Sequence, residues 1–510
     1  MKKKLCAAAL LIAAVFIPAA FAQQSPSPAT GFTLGTELGG GYENLPNRIP
    51  TWYDLLGVDF AYTSAFFDMG GAFHMTNDGK YTPTEGWMVK AGNQYMMLDL
   101  GYTRLHYGGL AFEAGYLKPV SSVETPYEVF LNPLAPSSFG MVLSWETSGF
   151  LYESRYIAVN TRSSNTYDWG PASMYNTQTW LDKGVNYRLI ALKFGDLRIG
   201  YEESSVYLRS FDPNYFFSPL PSVLTNTLLT QGHNPWTQGN SGNDNSLMGL
   251  FSDYRSGPLY AEAQLLIDDI NLNFLFPPGS PFLLNNENKL AWSIGGKYKF
   301  PFGTIGFWHG GATAYTYEAS YSNYNAASGP INANTVPYEY MYYPTVVWNG
   351  NIIDPRDSNI GFPWGENAIA FKVTFDTDLF TDQPWAFALD SSLEYVISGS
   401  KSPDKPWNQY GDDSLIPQRI QLFNVFGPET LEQVLILHAG ATKQLGDFRV
   451  RAGLDIGGDF NAPIVLQLPP NSGSVEPPLL LPLLGNNKLI FAIELSVRYV
   501  FTPGAQQGQQ

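Results

Sequence analysis

The sequence is short of cysteine, of charge and of long apolar runs. Its 510 residues include one cysteine, Cys6, and only 15% are charged. A lone cysteine excludes an internal disulfide and a multi-thiolate metal cluster. The charged fraction lies below the roughly 25% of soluble domains and is matched by a 15% share of Phe, Trp and Tyr, which argues against disorder, coiled coil and an ordinary cytosolic enzyme. Cations are scarcest: 29 Lys and Arg stand against 45 Asp and Glu, so the clusters that hold phosphates are missing and nucleic acid is not expected as a partner. Beyond residue 22 no apolar run reaches the ~18 residues of a spanning helix. Length alone suggests about three domains, but large β-barrels exceed that rule as single units.

Residues 1–22 read as a targeting segment. Lys2, Lys3 and Lys4 precede an apolar run from Leu5 to Ala20, and Ala20-Phe21-Ala22 supplies small residues around a cleavage point. This pattern predicts a cleaved secretory signal peptide rather than a retained helix. Cys6 lies inside the apolar run and not just after it, so a lipid-modified cysteine is not expected.

What is abundant is alternation. Leu489, Phe491, Ile493, Leu495, Val497, Tyr499 and Phe501 fall on one face of an extended segment, with Glu494, Ser496 and Arg498 on the other. Val185 to Phe194 and Leu197 to Glu202 flank Gly195-Asp196 as a hairpin. Leu431 to Ala441 and Phe448 to Leu454 flank a Gln444 to Asp447 turn, and Ala291 to Phe300 and Thr304 to Ala314 flank Pro301-Phe302-Gly303. Such runs suit the about 9 to 11 residues of a tilted membrane strand better than the about 5 to 6 of a soluble one. Trp292, Tyr298, Trp308 and Tyr395 are expected at headgroup level on the apolar faces.

The expectation is an all-β fold: a transmembrane antiparallel β-barrel of about 16 to 18 strands over residues 23–501, with long extracellular loops and a disordered polar tail at 502–510. Residues 205–244, 320–359 and 462–487 break the alternation and are candidates for the extracellular surface or a lumen plug. The expected location is the bacterial outer membrane. The expected partners are outer-membrane lipid and the barrel-assembly machinery.

Catalytic patterns are weak. Asp268-Asp269 and Glu202-Glu203 are adjacent, so on a strand each pair points to opposite faces and cannot act as a carboxylate dyad. His74, His106, His233, His309 and His438 lack metal-ligand spacing, and Tyr102, Arg104 and His106 read as a lumen-facing polar row. There is no Gly-x-Ser-x-Gly elbow and no phosphate loop. Asp354 to Asn359 gathers oxygen ligands, but a solvated Asx-type turn explains it better than a calcium loop. No enzyme activity, metal or cofactor is expected. Tyr338, Tyr340, Tyr342, Tyr343 and Trp348 cluster in one excursion, with Arg356 and Trp364 following. Flat rings beside hydrogen-bonding groups suit sugar recognition, and rings packing their own loop are the alternative.

Ordered short segments carry one resemblance. These are Arg198 to Tyr207 running into Phe211-Asp212-Pro213, Asn245 to Leu250, Leu259 to Glu262 with Asp268-Asp269, Ala314 to Tyr317, and Gly361 to Asn367. Over residues 90 to 400 the chain resembles the capsule-assembly family of Wzi type. The resemblance implies an outer-membrane barrel that binds or anchors surface polysaccharide without catalysis, with polysaccharide as a further partner. A porin or channel for small hydrophilic solutes is the alternative, and a surface adhesin cannot be told from the first.

Overall fold

The computed structural model describes residues 31–46, 50–78, 89–91, 94–159, 183–207, 211–230, 244–269, 288–317, 347–348, 351–352, 354–377, 387–401, 430–466 and 479–501. The signal-peptide and tail expectations lie outside the described residues.

The chain forms a closed antiparallel barrel of 18 strands. In chain order these are β1 (Gly31–Asn44), β2 (Thr51–Thr63), β3 (Phe67–Thr76), β4 (Gln94–Tyr107), β5 (Leu110–Leu117), β6 (Ser138–Glu146), β7 (Phe150–Val159), β8 (Lys183–Phe194) and β9 (Leu197–Tyr207). They continue with β10 (Asn245–Ser256), β11 (Leu259–Asp269), β12 (Lys289–Phe300), β13 (Gly303–Ala312), β14 (Ala368–Thr377), β15 (Ala388–Ser398), β16 (Glu432–Leu445), β17 (Phe448–Phe460) and β18 (Lys488–Phe501). Each pairs with its sequence neighbours, and β1 closes on β18 from Leu34↔Phe501 to Asn44↔Phe491. Closure gives every strand two partners, the requirement for sheet that meets hydrocarbon.

Side-chain direction follows the alternation. Leu489, Ile493, Leu495 and Val497 of β18 point out and are exposed, while Ile490, Ala492 and Ser496 point in and are buried. The strands meet at one end in short turns such as Gly195-Asp196 and Gly446-Asp447. Several are longer than the sequence pattern delimits. β9 runs on through Ser205 to Tyr207 and β17 to Phe460, because ladder pairing continues past the last regular alternation. One aromatic expectation is overturned: Trp308 points into the barrel and is buried near Tyr260, because Ile305 and Phe307 fix the opposite parity. Tyr298 is outward and exposed as expected.

The packed core lies inside the barrel, between one arc of wall and two chain segments folded into the lumen. The first comprises residues 118–137 and joins β5 to β6. The second comes from the connection between β13 and β14 and includes residues 354–367. The excursion between β9 and β10 behaves differently. Its helices α1 (Pro213–Phe217) and α2 (Ser222–Thr230) lie over β7 to β9. A third, short helix, α3 (Pro355–Ser358), sits in the second insert.

Candidate functional site

The candidate site is the lumen and what narrows it. The first insert carries Val123, Tyr127, Val129, Phe130, Leu131 and Ala135, all buried. A solvated loop has no use for so many apolar side chains, which is the signal that marks this stretch as an insert rather than a surface loop. Its descent is pinned by cations of the wall. Arg155 donates to the carbonyls of Lys118 and Val120 at 3.2 and 2.8 Å, and Arg198 donates to Ser122 O at 2.9 Å. Near the turn end Glu124 meets Arg255 and Lys297, and its backbone N–H donates to Tyr260 Oη at 2.8 Å.

The returning half is held by carboxylates. Glu128 accepts from the N–H groups of Phe130 and Leu131 at 2.6 and 2.7 Å and from Gln264 Nε2 at 2.9 Å. Burial pushes its carboxyl above the usual range, and those three donors pull the other way. Gln264 also donates to Glu202, which accepts from Tyr187 Oη at 2.7 Å. Glu202 therefore faces the lumen while adjacent Glu203 faces outward to Arg188, the opposite-face geometry of neighbouring strand residues.

The second insert begins with two tyrosines in left-handed backbone, Tyr315 at φ 67° and Tyr317 at φ 78°. Such conformations persist only where surrounding bonds hold them. Here Tyr315 N–H donates to Glu366, Tyr317 N–H to Asp268 at 3.0 Å, and Tyr317 Oη to Val129 O at 2.9 Å. Asp354 caps α3 by accepting from Arg356 N–H at 3.0 Å, the Asx-type turn read from the sequence, but the turn is buried rather than solvated because the insert packs inside the barrel. Asn132 joins the two inserts through Arg356 O and Asn359 O at 2.8 and 2.9 Å.

Among the six candidate ligand residues, Arg356 and Trp364 come together. The guanidinium of Arg356 lies 4.8 Å from the Trp364 ring centre and is also bound by Asp354. Trp364 is only 2% exposed, and its indole N–H donates to Glu394 of β15 at 2.9 Å. The ring is thus packed into the insert rather than presented to a ligand. Trp348 lies in a two-residue strand paired with Asn351–Ile352. Tyr338, Tyr340 and Tyr342, with Tyr343, lie outside the described residues. Sequence reasoning missed Glu394. It accepts from both Trp364 Nε1 and Tyr127 Oη, each at 2.9 Å, so one wall carboxylate holds both inserts.

The opposite arc, from β15 round to β4, is packed on its loop side, where Val434, Ile436, Glu432, Asp459 and Ile490 are buried and Lys401 Nζ donates to Trp364 O at 2.8 Å, and it is charged nearer the short turns. Asp390 binds Arg451 at 2.9 and 3.0 Å and His438 at 3.0 Å, and His438 binds Asp455 at 2.6 Å. Arg498 donates to Asp59 at 2.8 Å, and His74 pairs with Asp99 at 2.7 Å. His106 meets Asp68 at 3.2 Å in the polar row expected with Tyr102. Asp390, His438, Arg451, Asp59 and Arg498 stay 29–37% exposed, so this charged wall borders open space. A cavity of about 410 Å³ is lined there by Glu37, Asp59, His74, Asp99, Tyr102 and Arg498 among others. Among the described residues no group of His, Cys, Asp or Glu is arranged to hold a metal.

No family model and no curated protein matches the chain. Solved structures do. Wzi, an outer membrane protein involved in group 1 capsule assembly in Escherichia coli and described as a carbohydrate-binding β-barrel, is 10% identical, with 92% of this chain and 84% of that one covered and a TM-score of 0.48. OccK8 (OprE) of Pseudomonas aeruginosa is 11% identical over 93% of this chain and 98% of that one, with a TM-score of 0.46. The outer membrane protein OprD of the same organism is 9% identical over 93% of each chain, with a TM-score of 0.42. These comparisons do not single out the Wzi type from the other outer-membrane barrels. The fold is a closed antiparallel β-barrel of 18 strands.

Proposed function

We propose that the protein is a channel of the bacterial outer membrane whose narrowed lumen passes small polar solutes, with a preference for cations, and that it catalyses no reaction. One observation carries the reading: among the described residues, the half of the wall nearest the short turns, from β15 round to β4, keeps charged side chains accessible to solvent, while its loop side and the other arc are packed. A sealed barrel would bury its inner charges on all sides, and a purely structural one would have no reason to keep Asp59, Asp99, Asp390 and Asp455 in contact with water. Rings of acidic side chains concentrate cations and repel anions at close range. The Asp–Arg and Asp–His pairs moderate that field, so passing solutes find both signs of charge within one cavity.

Retention of surface polysaccharide is the second reading. It is favoured by the aromatic run Tyr338, Tyr340, Tyr342 and Trp348, which leads directly into the firmly bonded second insert. Arg356 and Trp364 then act as the base of a glycan platform rather than as contacts. Planar-bilayer recording separates the two. Discrete current steps with reversal potentials favouring cations are the expected result. A silent bilayer, together with release of cell-bound polysaccharide into the medium when the gene is deleted, would replace the channel by the anchoring role.

A further inference from the structure

The excursion carrying α1 and α2 covers a part of the outer wall that lipid could not tolerate bare. On β8, Phe194 and Leu192 point outward and are exposed, and by alternation Arg188 and Asn186 share their face. Arg188 and its outward partner Glu203 on β9 are nevertheless 0% and 1% exposed. The covering segment achieves this. Arg188 donates to Glu203 and to the carbonyls of Tyr215 and Leu220, and Glu203 accepts from Ser222 N–H at 2.7 Å and Tyr201 Oη at 2.9 Å. Tyr215 stacks on outward Tyr207 at 5.3 Å, Phe211 meets Tyr156 edge-on at 5.1 Å, and Ser154 Oγ donates to Phe216 O at 2.8 Å. Asp212 caps α1 through Asn214 N–H at 2.8 Å.

The far side of the same segment is apolar. Phe217, Leu220, Val223 and Leu224 are 43–50% exposed, and no Asp, Glu, Lys or Arg occurs from residue 213 to 230. Leu220 shows the design in one residue: its carbonyl turns in to Arg188 while its side chain turns out. These side chains continue the outward belt of Leu192, Ile199 and Leu250, which flank the covered area on β8, β9 and β10. We propose that residues 211–224 form a lipid-embedded flap whose outward side chains sit among the acyl chains of the membrane, replacing the apolar wall that Arg188 and Glu203 interrupt. The proposal rests on the membrane-barrel reading. The occupant is hydrocarbon rather than a second copy, because the apolar surface is continuous with the outward belt of Leu192, Ile199 and Leu250.

The test uses single cysteines at Leu220, Leu224 and the belt residue Leu192, each in a full chain carrying Cys6→Ser. Each is labelled with bimane and reconstituted into phosphatidylcholine vesicles, with or without lipids brominated along the acyl chain. The positions are exposed, so the labels leave packing intact, and heat-resistant migration checks folding. The expected result is bromine quenching at Leu220 and Leu224 within about twofold of that at Leu192. Quenching at Leu192 alone, with the flap labels quenched by aqueous iodide, overturns the flap and spares the barrel. Disulfide-linked pairs when the unlabelled cysteine variants are oxidised, with lipid quenching of the labelled ones lost, overturn it in favour of a second copy. Absence of quenching at Leu192 overturns the membrane reading and the flap with it.

Discussion

Substituting Glu394 by Ala removes the acceptor that Tyr127 Oη and Trp364 Nε1 share, each at 2.9 Å. Burial and the neighbouring carboxylate push the Tyr127 phenol well above its usual range, so it remains a donor at every working pH. Hydrogen bonds to a charged group contribute about 1.5–3 kcal/mol each. Both donors are buried, but the lumen is wet nearby and water takes over part of each bond. A net loss of about 3 kcal/mol in the docking of the two inserts is the working figure, roughly a hundredfold in their opening equilibrium. The barrel ladder is untouched, so opening is local. Hydrogen exchange followed by mass spectrometry should show peptides covering residues 123–135 and 360–367 exchanging about a hundred times faster in Glu394→Ala, with strand peptides unchanged. Glu394→Gln retains one acceptor oxygen and should lose about half as much free energy. Equal protection of both inserts in wild type and Glu394→Ala would refute the assignment of this carboxylate as their common tether.

Three further outcomes follow from the same geometry. Burial raises the carboxyl of Glu128 above its ordinary 4.5, so the docked insert takes up a proton; its contribution is complete below about pH 4.5 and fades as pH rises through the shifted value. Exchange at Phe130 and Leu131 should therefore speed up towards neutral pH beyond the intrinsic trend, and Glu128→Gln should flatten that extra dependence. Arg188→Ala leaves Glu203 buried without its partner and should cost about 3–5 kcal/mol in urea unfolding, while replacing both by Leu should restore most of it. Gly115 adopts φ 144°, and a Cβ there would come within 2.0 Å of Gly101 O; Gly115→Ala should lower the yield of heat-resistant barrel on refolding, and an unchanged yield would show that the β4–β5 pair can shift.

The wall was legible in the sequence and the contents of the lumen were not. Alternation from Leu489 to Phe501 specifies which face meets lipid, because a slip of one residue would turn Glu494 and Arg498 outward. Short turns such as Gly195-Asp196 fix the register of their hairpins. Inserts obey no period. Tyr127, Glu128 and Asn132 act through contacts with residues over a hundred positions away, and nothing local marks Glu394 as their anchor. Residues 205–244 looked like a surface loop or plug because Pro and Asn break the pattern. The described part covers the outer wall instead, a choice set by the outward charge of Arg188 and Glu203. Trp364 stands out in the sequence as an aromatic beside Arg356, but its burial depends on an Arg356 stack that its sequence neighbours do not dictate.

Closure of β1 on β18 has a consequence for assembly. Asn44 Nδ2 reaches Leu489 O at 2.8 Å across 445 positions of sequence. The seam therefore joins the earliest strand to the latest, and an intermediate without β18 presents two bare edges, on β1 and β17, with no internal partner for either. Until the last strand arrives, every shorter sheet is a sticky open ribbon in need of a chaperoning surface. Pairing of β18 removes both edges in a single step, so the seam is the last part of the sheet to be satisfied.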